Sequence, residues 1–137
     1  MGKWKIIASK SISLYYQPMN GNEKLKQRFY NFALEVIRFV RSLPREMVAY
    51  EIGKQLLRSG TSIASNYEEA TGAFSREDFI YKISLSFKEA KETTMWLRLI
   101  KDSGIFTKKD IDILIKESEE IRNILGKSVA TAKRVKK

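Results

Sequence analysis

The 137-residue sequence contains no cysteine and no histidine. Without cysteine the chain can form neither a disulfide nor a thiolate zinc site, and without histidine it lacks the commonest metal ligand and general base. No apolar run approaches the ~20 residues that a membrane-spanning helix needs. Much of enzyme chemistry is thereby excluded, and we expect a cytoplasmic protein that is not an enzyme and uses no metal or cofactor.

Acidic residues are missing from both ends of the chain, and most of the net charge of +10 lies there. Residues 1–21 carry +3 and residues 126–137 carry +5, which leaves +2 for everything between. Basic arms on a nearly neutral body are a common way to hold polyanions such as RNA or DNA. A solvated tail that only aids solubility is the alternative, and charge alone does not separate the two.

Apolar residues recur at three- and four-residue steps through four segments, which is the spacing of amphipathic helices. The predicted helices cover about residues 22–43, 45–71, 75–103 and 107–132, with Pro44 and Gly104 as stop signals. Long helices with short connections predict an all-α, up-down-up-down antiparallel four-helix bundle over residues 22–132. Residues 1–21 form a separate basic arm in this interpretation, and residues 133–137 form a basic tail.

Two glycines, Gly53 and Gly60, lie inside the second predicted helix. Each costs about 1 kcal/mol relative to alanine at an internal helix position. Two such costs in one helix predict a place where another backbone approaches closely.

The third helix carries more apolar residues than one core face can use. Its core stripe runs from Phe79 to Leu97, and a second apolar set falls on a different side. That set comprises Tyr81, Leu85, Met95, Trp96 and Leu99. We predict that these side chains form the interface of a homo-oligomer, with cover by the N-terminal arm as another reading. A monomer in which this helix is simply the most central one is the alternative.

Basic residues that could contact phosphate lie on the first helix and near the C-terminus. The predicted nucleic-acid-binding residues are Lys24, Arg28, Arg38, Arg45, Lys127, Lys133, Arg134, Lys136 and Lys137. The first-helix members fall within about one third of the circumference, opposite the core. Such a face is usually only solvated, but next to the tail it could extend a phosphate-binding surface, and an oligomer would multiply its effect by avidity.

A polar seam follows the edge of the second helix. Its members are Gln55, Ser59, Ser62, Asn66 and Glu69. We favour a structural role, in which Asn66 and Glu69 hydrogen-bond to neighbouring helices and fix their register, over a role in contacting a ligand or partner.

The stretch 55–70, which reads QLLRSGTSIASNYEEA, resembles the signature of the four-helix bundle proteins encoded in intervening sequences of bacterial 23S ribosomal RNA. The segments 75–82 (SREDFIYK) and 88–93 (KEAKET) are similar to that family too, and the resemblance covers about residues 25–125. The signature positions that carry over are Arg58, Ser62, Asn66 and Glu69, in a role that is either structural or partner-binding. Residues 1–21 do not match the family's pattern.

The same family includes the accessory variability-determinant proteins of diversity-generating retroelements, which are homopentameric basic barrels that bind nucleic acid and a reverse transcriptase. The resemblance therefore implies a homopentamer and RNA or DNA as a partner, and it makes a reverse transcriptase a candidate partner. Together with the charge pattern, it leads to one hypothesis: an oligomeric, non-enzymatic accessory protein that binds nucleic acid.

Two rival functions stay open. The first is a protein-interaction scaffold whose basic tail only aids solubility. The second is an enzyme built on the carboxylates Glu68, Glu69, Glu89 and Glu92. We do not favour the enzyme, because bundles that bind di-iron also use histidines, which this chain lacks.

Overall fold

The computed structural model describes residues 21–134, and all four of the regular elements in this part of the chain are α-helices. They are α1 (Gly21–Arg41), α2 (Met47–Thr71), α3 (Arg76–Asp102) and α4 (Asp110–Arg134). The predicted all-α fold is confirmed, and every helix end lies within about three residues of the predicted one. Apart from Gly21, the predicted N-terminal arm lies outside the described residues, and so do Lys136 and Lys137.

The start of α2 is set by a side chain rather than by the proline alone. Glu46 is extended, and its carboxylate accepts hydrogen bonds from the backbone amides of Val48 and Ala49 at 3.1 and 2.6 Å. These amides have no partner inside the helix, so the capping carboxylate fixes where the helix begins. The predicted start near Arg45 is two residues too early for this reason.

The ends of α3 follow the sequence signals more closely. Ser75 caps the helix by accepting a hydrogen bond from the backbone amide of Asp78 at 3.0 Å, as its hydroxyl predicted. Gly104 follows the helix with a φ of +80°, a conformation that favours glycine. The turn into α4 therefore depends on this glycine.

Contacts between consecutive helices run in opposite directions along the chain: as the residue number rises in one helix, that of its partner in the next falls. The pairs are Lys26–Glu68 and Val36–Gly60 between α1 and α2, Arg58–Glu92 and Glu69–Lys82 between α2 and α3, and Arg76–Ala132 and Lys101–Asp112 between α3 and α4. Helix α4 also packs against α1, which closes the four-helix bundle, although this seam is the thinnest of the four. In the part of the chain that is described, α1 does not reach α3 and α2 does not reach α4.

The core between the helices is built from the predicted apolar stripes. Phe29 and Tyr67 meet edge to face at a ring-centroid distance of 4.9 Å, and both are buried. Phe39 and Phe106 form a second edge contact, at 4.7 Å, towards the other end of the bundle. Burial raises the pKa of the Tyr67 hydroxyl, so this group stays neutral inside the core.

Helix α3 also buries three hydroxyl groups, each of which bonds to a neighbouring helix. The pairs are Ser86 Oγ with the carbonyl of Ile63, Thr93 Oγ1 with Ser59 Oγ, and Thr94 Oγ1 with Ser118 Oγ, all at 2.9 Å. Two of these bonds reach α2 and one reaches α4. Because a buried polar group is costly unless it is paired, the three bonds favour one register of α3 against both neighbours.

A close approach at the two glycines of α2 is present, but the prediction that another backbone makes it is wrong. A Cβ atom on Gly60 would lie 2.9 Å from both methyl groups of Val36, and one on Gly53 would lie 3.1 Å from Leu43 Cδ1. The neighbouring atoms belong to side chains of α1 and of the turn after it, rather than to backbone. None of the four helices in residues 21–134 is both long enough and apolar enough to span a bilayer.

Candidate nucleic-acid interface

The basic residues predicted on α1 do not form one free surface. Arg28 donates hydrogen bonds to Glu117 on α4, from Nε to Oε2 at 2.9 Å and from Nη2 to Oε1 at 2.7 Å, and it approaches Glu120 at 3.3 Å. Hydrogen bonding to Glu117 raises the pKa of Arg28. The placement of Arg28 opposite the core is therefore wrong: this guanidinium joins α1 to α4, where it lines a groove of about 600 Å³.

The other members of the α1 set are spread along the bundle. Lys24 lines the same groove as Arg28. Arg38 lies about 21 Å from Lys24 along the axis of α1, given a rise of about 1.5 Å per residue. Arg38 pairs with Glu35 at 3.3 Å, and Arg45 lies in the turn before α2. The prediction of one continuous phosphate-binding face on α1 is thus not supported by where these side chains lie.

The C-terminal part of α4 contains lysine and arginine residues but no acidic residue. Lys127, Lys133 and Arg134 are exposed, and no acidic residue occurs between Gly126 and the end of the helix. Arg76 at the start of α3 donates hydrogen bonds to the carbonyls of Ala132 and Lys133, at 3.1 and 3.5 Å. A guanidinium at this position suits the negative end of the helix dipole, so α3 holds the last turn of α4 in place.

Arg58, the first of the family-signature residues, forms a cluster with two acids on α3. Its Nη1 bonds to both carboxylate oxygens of Glu89, the nearer at 3.0 Å, and its Nη2 bonds to both of Glu92, each at 3.0 Å. Burial raises the pKa of Glu89, whereas hydrogen bonding with Glu89 and then with Arg58 lowers the pKa of Glu92. One guanidinium thus pairs with two neighbouring carboxylates and ties α2 to α3.

The remaining signature residues also have partners within the chain. Glu69 accepts a hydrogen bond from Lys82 on α3 at 2.9 Å, as the structural interpretation predicted. Asn66 differs from that prediction, since its Nδ2 donates to the carbonyl of Ser62 on its own helix at 3.0 Å. Ser62 in turn donates to the carbonyl of Arg58 at 2.7 Å. Short polar side chains at four-residue spacing can bond along their helix, and sequence spacing alone could not separate this from a bond across helices.

The apolar set predicted as an oligomer interface is divided by the structure. Tyr81, Met95 and Leu99 are exposed, with 60, 44 and 44% of their surface accessible. Leu85 is half-buried, and Trp96 is half-buried and packs against the core of its own chain. The indole of Trp96 is therefore covered by its own chain, and the exposed apolar face consists of Tyr81, Met95 and Leu99.

Sequence reasoning missed a group of cations at the seam between α3 and α4. Lys91 and Arg98 on α3 and Arg122 on α4 line a cavity of about 230 Å³. The seven-residue spacing of Lys91 and Arg98 places them on one side of α3, and this signal was available in the sequence. The contribution of Arg122 was not, because it depends on how α4 packs.

The carboxylates that an enzyme could have used do not gather into a metal site. Glu68 lies 3.5 Å from Lys26, Glu69 pairs with Lys82, and Glu89 shares Arg58 with Glu92. Within residues 21–134, no group of three acidic side chains is placed to hold a metal ion.

Fold and surface together define an all-α protein of the four-helix bundle class with cations distributed over several surfaces. The chain belongs to the 23S rRNA-intervening sequence protein family, whose model matches residues 22–127. The family resemblance seen in residues 55–70 is thus confirmed, while the likeness to retroelement accessory proteins stays a prediction.

One solved structure shows how far the fold is shared. A protein of unknown function from the S23 ribosomal protein family of Bacteroides thetaiotaomicron VPI-5482, whose crystal structure extends to 1.70 Å resolution, is 34% identical to this chain. The match has a TM-score of 0.73 and covers 80% of this chain and 97% of that one. No curated protein matches the chain.

Proposed function

We propose that the protein is a non-enzymatic accessory protein that binds RNA or DNA as a homo-oligomer of up-down-up-down four-helix bundles. The observation that carries this proposal is the excess of positive charge, +10 in 137 residues, with an acid-free and exposed basic end on α4. Each phosphate that a lysine or arginine neutralises releases counterions, which favours binding whatever the base sequence. The family's name refers to an RNA, which is consistent with such a partner.

The oligomer is supported by the exposed apolar side chains Tyr81, Met95 and Leu99, which share one side of α3. Apolar side chains grouped on one face are a common mark of an interface, although isolated ones are not. A pentamer is the assembly that the retroelement likeness favours, and a reverse transcriptase in the cytoplasm of a bacterium is the protein partner it suggests. Repetition of the basic end around such a ring would raise the affinity for a long polyanion by avidity.

A titration of fluorescein-labelled RNA and single-stranded DNA, followed by anisotropy at several salt concentrations, tests the proposal. We expect the logarithm of the binding constant to fall steeply and linearly with the logarithm of the salt concentration. Replacing Lys127, Lys133 and Arg134 by glutamine should lower both the affinity and the slope. Weak binding that does not respond to salt would contradict the proposal.

A protein-interaction scaffold is the second candidate, and the exposed apolar residues away from α3 favour it. Met47 is 77% exposed and Phe74 is 97% exposed, and both lie next to turns where a partner could reach them. The scaffold predicts a protein partner that is captured with the chain and survives nuclease treatment. Capture that is lost after nuclease treatment favours nucleic-acid binding instead.

A further inference from the structure

The cavity between α3 and α4 has the composition of an anion site. The side chains that line it are Lys91, Thr94, Met95, Arg98, Leu99, Asp102 and Arg122. Three cations and one acid give the lining a net charge of +2. Of the charged side chains that line the cavity, Asp102 is the one acid, so within the lining it alone offsets the mutual repulsion of the three cations.

The three cations have not been neutralised by acids elsewhere in the described chain. Within residues 21–134, neither Arg98 nor Arg122 has a carboxylate within 4.0 Å, and Lys91 contacts only the ring of Phe87, at 4.5 Å from the centroid. Arg28 and Arg58, in contrast, each pair with two glutamates. Like charges held around one concavity repel each other, and a bound anion would relieve that repulsion.

The floor of the cavity is rigid. Thr94 lines it and is also hydrogen-bonded to Ser118 of α4 at 2.9 Å inside the core. Further along the same seam, Lys101 and Asp112 pair at 2.6 Å. Arg76 also bonds to the carbonyl of Ala132, so α3 and α4 are joined on either side of Arg122. Arg98 and Arg122 thus line the cavity from two helices that are already held together, which would lower the entropic cost of binding an anion.

We propose that Lys91, Arg98 and Arg122 form a binding site for a backbone phosphate of RNA or DNA. The inference rests on the proposed function and assigns a place on the protein to it. Guanidinium groups match the oxygens of a phosphate with two parallel hydrogen bonds. The proposed RNA or DNA partner carries a phosphate at every nucleotide, and the net charge of +10 over the whole chain favours such a polyanion over an acidic peptide.

The decisive experiment compares two variants that each remove two positive charges. R98Q/R122Q alters the cavity, whereas K108Q/K109Q removes two exposed lysines from the turn before α4. Binding of a labelled RNA is followed by anisotropy over a range of salt concentrations, and melting curves and light scattering establish that each variant keeps the fold and mass of the wild type.

We expect R98Q/R122Q to weaken RNA binding by about tenfold or more and to lower the salt slope by about one to two, while K108Q/K109Q changes affinity by less than about threefold. R98K/R122K should recover part of the affinity, since it keeps the charges but loses the paired hydrogen bonds. R98K/R122K thereby distinguishes the loss of a phosphate contact from a loss of folding.

The other results separate the site from the function. If the wild type binds RNA with a steep salt dependence and R98Q/R122Q matches K108Q/K109Q, the cavity is not a phosphate site and the proposed function stands. If the wild type binds no nucleic acid, the proposed function fails. If R98Q/R122Q then loses a nuclease-resistant acidic protein partner, the site is one for carboxylates and the phosphate assignment is overturned.

Discussion

At Gly60, two methyl groups of Val36 occupy the space that a Cβ atom would need, at 2.9 Å. Real Cβ atoms do not come this close to their neighbours, so with any other residue there either the Val36 side chain or the spacing of α1 and α2 would have to change. The loss of helix propensity at this glycine is thus offset by the packing of Val36, which is buried. A glycine at the contact point sets the distance between two helices.

Gly60→Ala should therefore destabilise the protein although alanine is the better helix former. Overpacking costs about 1–3 kcal/mol and the gain in propensity is about 1 kcal/mol, which leaves a net loss of about 1 kcal/mol in the free energy of unfolding. Urea titrations at a fixed protein concentration would measure it. In a Val36→Ala background the two methyl contacts at 2.9 Å are removed and the Cβ contact at 3.3 Å remains, so the same glycine substitution should cost clearly less. A loss of equal size in both backgrounds would contradict this account.

The hydroxyl pair between Thr93 and Ser59 predicts a coupled effect. Thr93→Val keeps the shape but removes a buried hydroxyl that lies 2.9 Å from Ser59 Oγ and 2.7 Å from the carbonyl oxygen of Glu89. We expect a loss of about 1 kcal/mol, and a smaller additional loss when Ser59→Ala is added, because no partner is then left unpaired. Thr61→Val, which removes bonds within α2 only, is the control and should cost less than about 0.5 kcal/mol. Strictly additive losses at positions 59 and 93 would show that the two hydroxyls are independent.

Between α2 and α3, the cluster of Arg58 with Glu89 and Glu92 lies on the surface edge of the seam. Arg58 has 45% of its side chain exposed and Glu89 only 15%, so the carboxylate is the more desolvated partner. The two acids respond to pH in opposite directions. Glu92, with a lowered pKa, adds stability above its unfolded pKa that is lost as the pH falls. Glu89, with a raised pKa, adds stability at low pH that is lost as the pH rises through its folded pKa.

Arg58→Gln should expose this balance. At neutral pH the variant leaves two neighbouring carboxylates without their cation, and we expect a loss of about 1 kcal/mol, kept small by the exposure of Arg58. As the pH falls through the acid range, Glu89 takes up a proton, the repulsion disappears and the difference from the wild type should shrink. Unfolding curves at several pH values would measure it. Arg38→Gln, which breaks an exposed pair, is the control, and a penalty for Arg58→Gln that grows at low pH would contradict the assignment.

The helices themselves could be predicted from the sequence because apolar spacing, Ser75 and Gly104 act locally. The pairing of charges could not, since it depends on which helix faces which. Arg28 looked like a solvent-facing cation until α4 placed Glu117 beside it. Arg122 joined the α3 cations for the same reason, through packing that no local pattern encodes.

For the whole molecule, assembly depends on what covers the outer side of α3. Sequence spacing correctly placed Tyr81, Met95 and Leu99 away from the core, since all three are exposed. It could not predict that Trp96 packs against the core of its own chain, because its helical spacing is compatible with either a buried or an exposed indole. The case for assembly therefore depends on a smaller apolar set than the sequence suggested, and on its position beside the phosphate site proposed for α3 and α4.

Tyr81→Ser removes apolar surface from this side of α3 without changing the charge, and Tyr81 does not line the proposed phosphate site. Light scattering behind a sizing column should give a multiple of 15.9 kDa for the wild type and 15.9 kDa for the variant. The affinity for a long RNA should fall by about tenfold or more, because linked sites raise apparent affinity through effective concentration, while a short RNA that spans a single subunit should lose much less.

Tyr50→Ser is the matched control, since this tyrosine is 65% exposed on another helix. It should leave both the mass and the affinity unchanged. A wild type of 15.9 kDa would rule out assembly, and RNA binding would then have to come from one subunit. An unchanged mass in Tyr81→Ser would instead move the interface to another surface. In both cases, comparing the affinities for long and short RNA separates the affinity of a single subunit from the gain due to avidity, because only avidity depends on the number of linked subunits.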